Sequence, residues 1–188
     1  MGTGVGKRGP GDGSGREALL DATITVVGEK GLRGLTFRAV GEKAGVNNSL
    51  IAHYFGTRDA LIEAAFDRAV RESIDVSHLS TFATDRDGFI EAFMELINAD
   101  AAREVFVYEM LLASRRRPQI ADRVAELYET YVQTLSDALK TVLGERYNEA
   151  RTRYTFAALD GLLLQHFAGV SDDAIRTSVG LLWDDIVA

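Results

Sequence analysis

The residues whose types and spacing could do chemistry are concentrated in one stretch, residues 36–61. Thr36 and Asn47 are candidate N-caps, and each stands just before a short run with apolar residues at helical spacing. Gly45 lies between the two runs, where a left-handed residue would end the first helix. Two short helices joined by such a turn form a helix-turn-helix unit, which can lay its second helix in the major groove of DNA. The chemistry that this stretch predicts is DNA recognition.

Signals for enzyme chemistry are poor. The chain has no cysteine, and its three histidines, His53, His78 and His166, lack the spacing of metal ligands. The glycines before Lys7 imitate a phosphate loop, but no serine or threonine follows the lysine. We therefore expect no catalytic residues, no metal site and no cofactor.

Charge is divided unevenly along the 188 residues. Residues 1–58 hold eight Lys/Arg and five Asp/Glu, residues 59–188 hold thirteen and twenty-three, and the net charge is −7. A basic first third on an acidic remainder fits a DNA-binding segment attached to a domain that does not touch DNA. No apolar run reaches the roughly 18 residues of a membrane span, and no signal peptide is evident. We expect a cytoplasmic protein with no membrane partner.

The stretch also resembles the N-terminal domain of TetR-family transcriptional repressors. The resemblance covers roughly residues 16–66, and it is carried by Thr36, 44–46, 53–55, 56–58 and Leu61. Three positions depart from the family pattern: Ala52 replaces a tyrosine that reaches the DNA, Arg58 a lysine and Asn47 a serine. The resemblance implies an all-α protein, with a three-helix DNA-binding domain before a helical ligand-binding and dimerisation domain.

The sequence predicts three segments. Residues 1–13 hold six glycines and almost no apolar side chains, so we expect a disordered tail, in which Lys7 and Arg8 either reach a minor groove or are solvated. Residues 14–56 form the predicted helix-turn-helix domain, with the first helix starting near Ser14. Residues 57–188 form the predicted effector-binding and dimerisation domain.

The resemblance implies which side chains meet DNA. Asn48 at the start of the second helix can form two hydrogen bonds with adenine, and Leu50 can meet a thymine methyl group. Ala52 leaves either a smaller footprint at one base pair or a contact that Asn48 and Leu50 replace, while Tyr54 serves either DNA or the domain core. The predicted DNA-binding set is Thr36, Arg38, Asn47, Asn48, Ser49, Leu50, Ala52, His53, Tyr54 and Arg58.

Aromatic residues on the later helices match those that enclose an effector cavity in the family. Aromatics with a few polar groups suit an apolar or aromatic small molecule, and Glu109 or His166 could orient it. Aromatics at helical spacing are also typical of a core, so this alternative stays open. The predicted pocket residues are Phe66, Phe89, Phe93, Phe106, Glu109, Met110, Tyr128, Tyr131, Phe156 and His166.

The penultimate helix is apolar on two faces and must be buried twice. In the family the last two helices pair across a two-fold axis, so one face would pack on a second subunit, although both could instead pack within one chain. The predicted dimer interface is Tyr154, Ala158, Gly161, Leu162, Gln165, Ile175, Ser178 and Leu182.

These features predict a homodimeric repressor released from a palindromic operator by a small apolar or aromatic effector. Two alternatives remain at this stage. One is an activator or global regulator with the same fold, and the other is a helical ligand-binding protein without specific DNA binding.

Overall fold

The computed structural model describes residues 12–76 and 85–188, and the regular structure in these ranges is helical, which confirms the predicted all-α class. The helices are α1 (Asp12–Gly34), α2 (Phe37–Ala44), α3 (Asn48–Phe55), α4 (Arg58–Val76), α5 (Arg86–Ala99), α6 (Ala101–Ser114), α7 (Pro118–Leu143), α8 (Glu149–Phe167) and α9 (Asp172–Val187). The predicted tail, with Lys7 and Arg8, lies outside the described residues except for Asp12 and Gly13. There α1 begins, two residues before the predicted start.

Helix ends in the first third of the chain follow local sequence signals. Thr36, Asn47 and Thr57 each accept a backbone N–H from the helix that follows, over 2.9–3.1 Å. Gly45 ends α2 in the left-handed conformation, with φ 69° and ψ 27°, which costs glycine little because it has no Cβ. The predicted caps at Thr36 and Asn47 and the predicted helix end at Gly45 are confirmed, and they fix the turn between α2 and α3.

The described residues form two compact units. The first contains residues up to 69 together with residues 102–113, so most of α6 belongs with α1, α2, α3 and the start of α4. The predicted DNA-binding domain, residues 14–56, lies within this unit. The second unit contains residues 70–101 and 114–188.

In the first unit, α1 is kinked near its C-terminal end. Gly31 leaves the helical region, with φ 65° and ψ 174°. The next residue, Leu32, donates its backbone N–H to Oε2 of Glu109 on α6, over 3.4 Å. The carboxylate thus satisfies a backbone donor that the kink has removed from the helix.

In the second unit, α5 packs on α9. The ring of Phe89 contacts that of Trp183, with centroids 5.2 Å apart. Arg176 contacts Glu91 with its guanidinium Nη1 2.5 Å from Oε1, and its hydrogen bond holds the pKa of that carboxyl below the ordinary value. In the same unit α7 packs on α8, and α8 packs on α9.

Candidate nucleic-acid interface

Apolar side chains anchor the helix-turn-helix unit on its buried side. Val40 of α2 and Ile51 of α3 are fully buried, so the opposite faces of both helices are fixed toward solvent. Backbone bonds close the turn, with Val46 N donating to Gly41 O over 3.0 Å and Gly45 N to Glu42 O over 3.4 Å. The unit therefore presents α3 as a rigid element.

The exposed face of α3 carries most of the predicted DNA-binding residues. Asn48, Ser49, Ala52 and His53 are exposed, and Leu50 and Tyr54 are half-buried. The rings of His53 and Tyr54 lie 5.4 Å apart between centroids. Amide, hydroxyl and imidazole groups are therefore brought together on one helix, beginning at its N-terminal end.

The amide of Asn48 is available to a ligand. It forms no side-chain hydrogen bond within residues 12–76 and 85–188. Asn47, in contrast, uses its Oδ1 to cap α3. Of the two adjacent asparagines, the first stabilises the helix and the second is left to recognise something outside it.

Charged side chains border this face and are already paired. Arg38 donates from Nε to Oε1 of Glu42 over 2.8 Å, which raises the pKa of the guanidinium. Lys43 donates from Nζ to Oε1 of Glu29 over 2.7 Å, and this hydrogen bond lowers the pKa of that carboxyl. A phosphate that approaches Arg38 must compete with the Glu42 carboxylate.

Arg58 holds the unit together from its other side. Its Nε donates to the Leu35 carbonyl over 3.0 Å, and its Nη2 donates to the Leu32 carbonyl. These bonds join the start of α4 to the last turn of α1 and to the segment that follows it. The sequence placed Arg58 at DNA, whereas the structure adds a role in positioning the helices, which sequence reasoning missed because both partners lie more than twenty residues away.

Two protein-family models match this chain. Residues 19–65 match the bacterial regulatory proteins of the TetR family. Residues 84–185, more than half of the chain, match the tetracyclin repressor-like C-terminal domain. The chain belongs to the TetR family. It is a transcriptional regulator with a DNA-binding helix-turn-helix domain, and not an enzyme.

Individual relatives agree with this assignment. The HTH-type transcriptional regulator BetI of Brucella canis is 28% identical over 179 residues, which are 91% of this chain and 89% of BetI. A TetR-family transcriptional regulator from Rhodococcus sp. has the same fold, with a TM-score of 0.73 and 19% identity over 94% of this chain and all of its own. The multidrug binding protein EbrR, crystallised with imidazole, has a TM-score of 0.63 and 27% identity over 89% of this chain and 93% of its own.

The ten residues predicted for the effector pocket of this regulator are divided between the two units. Five of them are buried to within 2% of complete enclosure: Phe66, Phe89, Phe93, Phe106 and Met110. In the second unit, Tyr128 and Tyr131 both contact the ring of Phe156, with centroids 5.6 and 5.8 Å away. Tyr131 also donates its hydroxyl to Ser73 Oγ over 2.5 Å. These three rings form one aromatic cluster.

The two polar residues predicted for the pocket differ in their hydrogen bonds within the described residues. Glu109 accepts the Leu32 N–H at the kink of α1. His166 places Nδ1 3.5 Å from Oδ1 of Asp172, across the connection between α8 and α9, but this buried nitrogen forms no hydrogen bond within the described residues. Their role toward an effector stays a prediction.

The predicted dimer-interface residues, with one exception, line a groove on α8 and α9 of the regulator. Its lining comprises Tyr154, Ala157, Ala158, Gly161, Leu162, Gln165, Ser178, Leu181, Leu182 and Asp185. Ile175 is the exception: it is 1% exposed, because its face of α9 packs inside the unit, and it is removed from the set. Leu181 is 63% exposed and was missed, although its position three residues after Ser178 could have indicated it.

The described ranges show neither a metal-binding group nor a membrane-spanning helix. Acidic and histidine side chains in these ranges nowhere form a metal-binding group of three. None of the described helices combines the length and apolarity that a bilayer crossing requires.

Proposed function

We propose that this regulator is a homodimeric repressor that binds a palindromic operator and is released from it by a small apolar or aromatic effector. The observation that carries the proposal is the exposed polar face at the start of α3, where Asn48 has an unpaired amide. The proposal places the protein in the cytoplasm, with residues 14–56 as its DNA-binding domain and residues 57–188 as its effector-binding and dimerisation domain.

The proposed DNA contacts divide into two classes. Asn48, Ser49 and Leu50 approach base edges and specify the sequence, since an asparagine amide matches the donor and acceptor of adenine. Thr36, Arg38, Asn47, His53, Tyr54 and Arg58 lie at helix ends or flank α3, and they position the protein on phosphates. Ala52 adds only a methyl group, so the operator should be read mainly through the first turn of α3.

The groove on α8 and α9 supports a dimer. Tyr154 and Leu181 are 57% and 63% exposed, an unusual arrangement for large apolar side chains on adjacent helices. Gly161 has open space where a Cβ would lie, so another helix can approach closely. A two-fold axis through this groove buries the same patch on both subunits. The two copies of α3 then enter successive major grooves, roughly 34–36 Å apart.

An aromatic effector is supported by the cluster of Tyr128, Tyr131 and Phe156. Such rings stack on flat ligands, and EbrR is reported in complex with proflavin and with ethidium, both planar aromatic compounds. An effector would weaken DNA binding if it binds preferentially to a conformation in which the two copies of α3 are wrongly spaced for the operator. By linkage, operator DNA weakens effector binding by the same factor.

The proposal is tested by selecting binding sites for the purified full chain from random duplex DNA. We expect an inverted repeat whose half-sites are centred about one helical turn apart. Affinity for the selected site should fall as salt rises, while preference over unrelated DNA is retained. Enrichment of no motif would refute specific DNA binding, and a single half-site would refute the dimeric repressor.

The effector is then sought by titrating planar aromatic compounds, beginning with proflavin and ethidium, against the protein bound to its selected DNA. Release of DNA supports a repressor. Tighter DNA binding would overturn release and indicate an activator. Phe156→Ala should reduce the response to the compound without changing DNA affinity in its absence, and Leu112→Ala, on the exposed surface, serves as the matched control.

A further inference from the structure

We infer that Gly41 is a specificity-determining residue, because it leaves room for the side chain with which Asn48 reads the operator. The inference rests on the proposed function, in which Asn48 contacts a base. Gly41 lies on α2 and touches no DNA in this proposal. It acts through Asn48, as a positioning residue.

The contact that supports this inference is between α2 and α3, the two helices of the helix-turn-helix unit. Gly41 is buried, whereas Asn48 is exposed at the first position of α3. A Cβ built on Gly41 would overlap Oδ1 of Asn48, and it would stand 3.0 Å from the Val46 carbonyl oxygen. The amide of Asn48 therefore occupies the space that any other residue at position 41 would fill.

Hydrogen bonds on both sides of Gly41 resist a shift of the turn that would relieve such an overlap. Gly41 itself accepts the Val46 N–H over 3.0 Å, and Gly45 closes the same turn in its left-handed conformation. Asn47 caps α3 directly before Asn48. Because the backbone on both sides is fixed, an added methyl group must displace the end of the Asn48 side chain.

The position of that side chain decides which bases it can read. A bidentate contact requires both the oxygen and the nitrogen of the amide to face the base edge. In the described structure Oδ1 lies against Gly41, so the amide must turn to present both atoms to a base, and the space left by Gly41 allows that turn. Gly41 thus sets the angle at which the amide meets the groove, and its loss should relax one position of the operator without weakening phosphate contacts.

The test compares the wild-type chain with Gly41→Ala, Asn48→Ala and the double variant. Each is titrated with the selected operator and with operators that carry a single base-pair change at each half-site position. Asn48→Ala should lower discrimination at one position by roughly 5- to 150-fold. Gly41→Ala should lower discrimination at that same position and at no other. Adding Gly41→Ala to Asn48→Ala should change nothing further there.

Each outcome separates the possibilities. If Gly41→Ala leaves every preference unchanged, or weakens all operators equally whether or not Asn48 is present, the inference is overturned. A wild-type chain without base preference would overturn the proposed function, and the inference with it. If Gly41→Ala melts early, the double variant must recover the wild-type melting temperature, since the overlapping amide is gone; failure to recover places the clash at the backbone and overturns the inference.

Discussion

Replacing Leu181 with alanine should dissociate the proposed dimer. Fully burying a leucine side chain is worth about 1.5–3 kcal/mol, and Leu181 is 63% exposed in the single chain. Covering that exposed part gains about 1–2 kcal/mol per subunit. A two-fold interface counts each residue twice, so the dimer loses about 2–4 kcal/mol, and its dissociation constant should rise about 30- to 900-fold.

The measurement is sedimentation equilibrium over a dilution series, with melting curves to show that the variant is folded. Leu112→Ala is the matched control, because Leu112 is 69% exposed but lies on α6, outside the groove. The control should dimerise like the wild type. Equal dissociation constants for wild type and Leu181→Ala, or equal weakening by both variants, would show that the groove on α8 and α9 is not the interface.

Three further predictions concern the DNA-binding unit. Thr36→Ala should destabilise the unit by about 1 kcal/mol, seen by chemical denaturation, because α2 loses its N-cap; unchanged stability would deny the capping role. Glu42→Gln should tighten operator binding at low salt by releasing Arg38 for a phosphate, with a steeper salt dependence in fluorescence anisotropy; weaker binding would contradict this. Glu29→Gln should lower the melting temperature above the ordinary carboxyl pKa of 4.5, but not well below it. Lys43 depresses the pKa of Glu29, so the pair stabilises the fold above pH 4.5, and this stabilisation is lost as pH falls through the lowered pKa. A difference in melting temperature between wild type and variant that persists in acid would refute this.

The sequence was most informative where the partners are close along the chain. Thr36 and Asn47 bond to backbone groups two or three residues away, so a short pattern is enough to predict them. Glu109 shows the opposite case, because its partner Leu32 is 77 residues away. Periodicity could place Glu109 on an apolar helix. It could not predict that the carboxylate would accept a hydrogen bond from the kink in α1.

The dimer face shows a second limit of periodicity. Ile175 and Leu182 are seven residues apart and lie on the same side of α9, yet Ile175 packs inside the unit at 1% exposure whereas Leu182 lines the groove. Leu181, one position away, is left exposed. The spacing of apolar residues identifies both faces, but only the packing of neighbouring helices decides which one is covered. The sequence therefore predicted seven of the residues that line the groove, but it also included the buried Ile175 and missed the exposed Leu181.

The bond from Leu32 to Glu109 affects how such regulators can be recombined. The first compact unit is built from two stretches of the chain, residues up to 69 and residues 102–113. A chimera that exchanges everything after α4 for a relative's sequence would keep the kink in α1 but replace the helix whose carboxylate satisfies it. Exchanging the effector response between family members therefore requires two junctions. Residues 102–113 then stay with the first compact unit, which contains the helix-turn-helix.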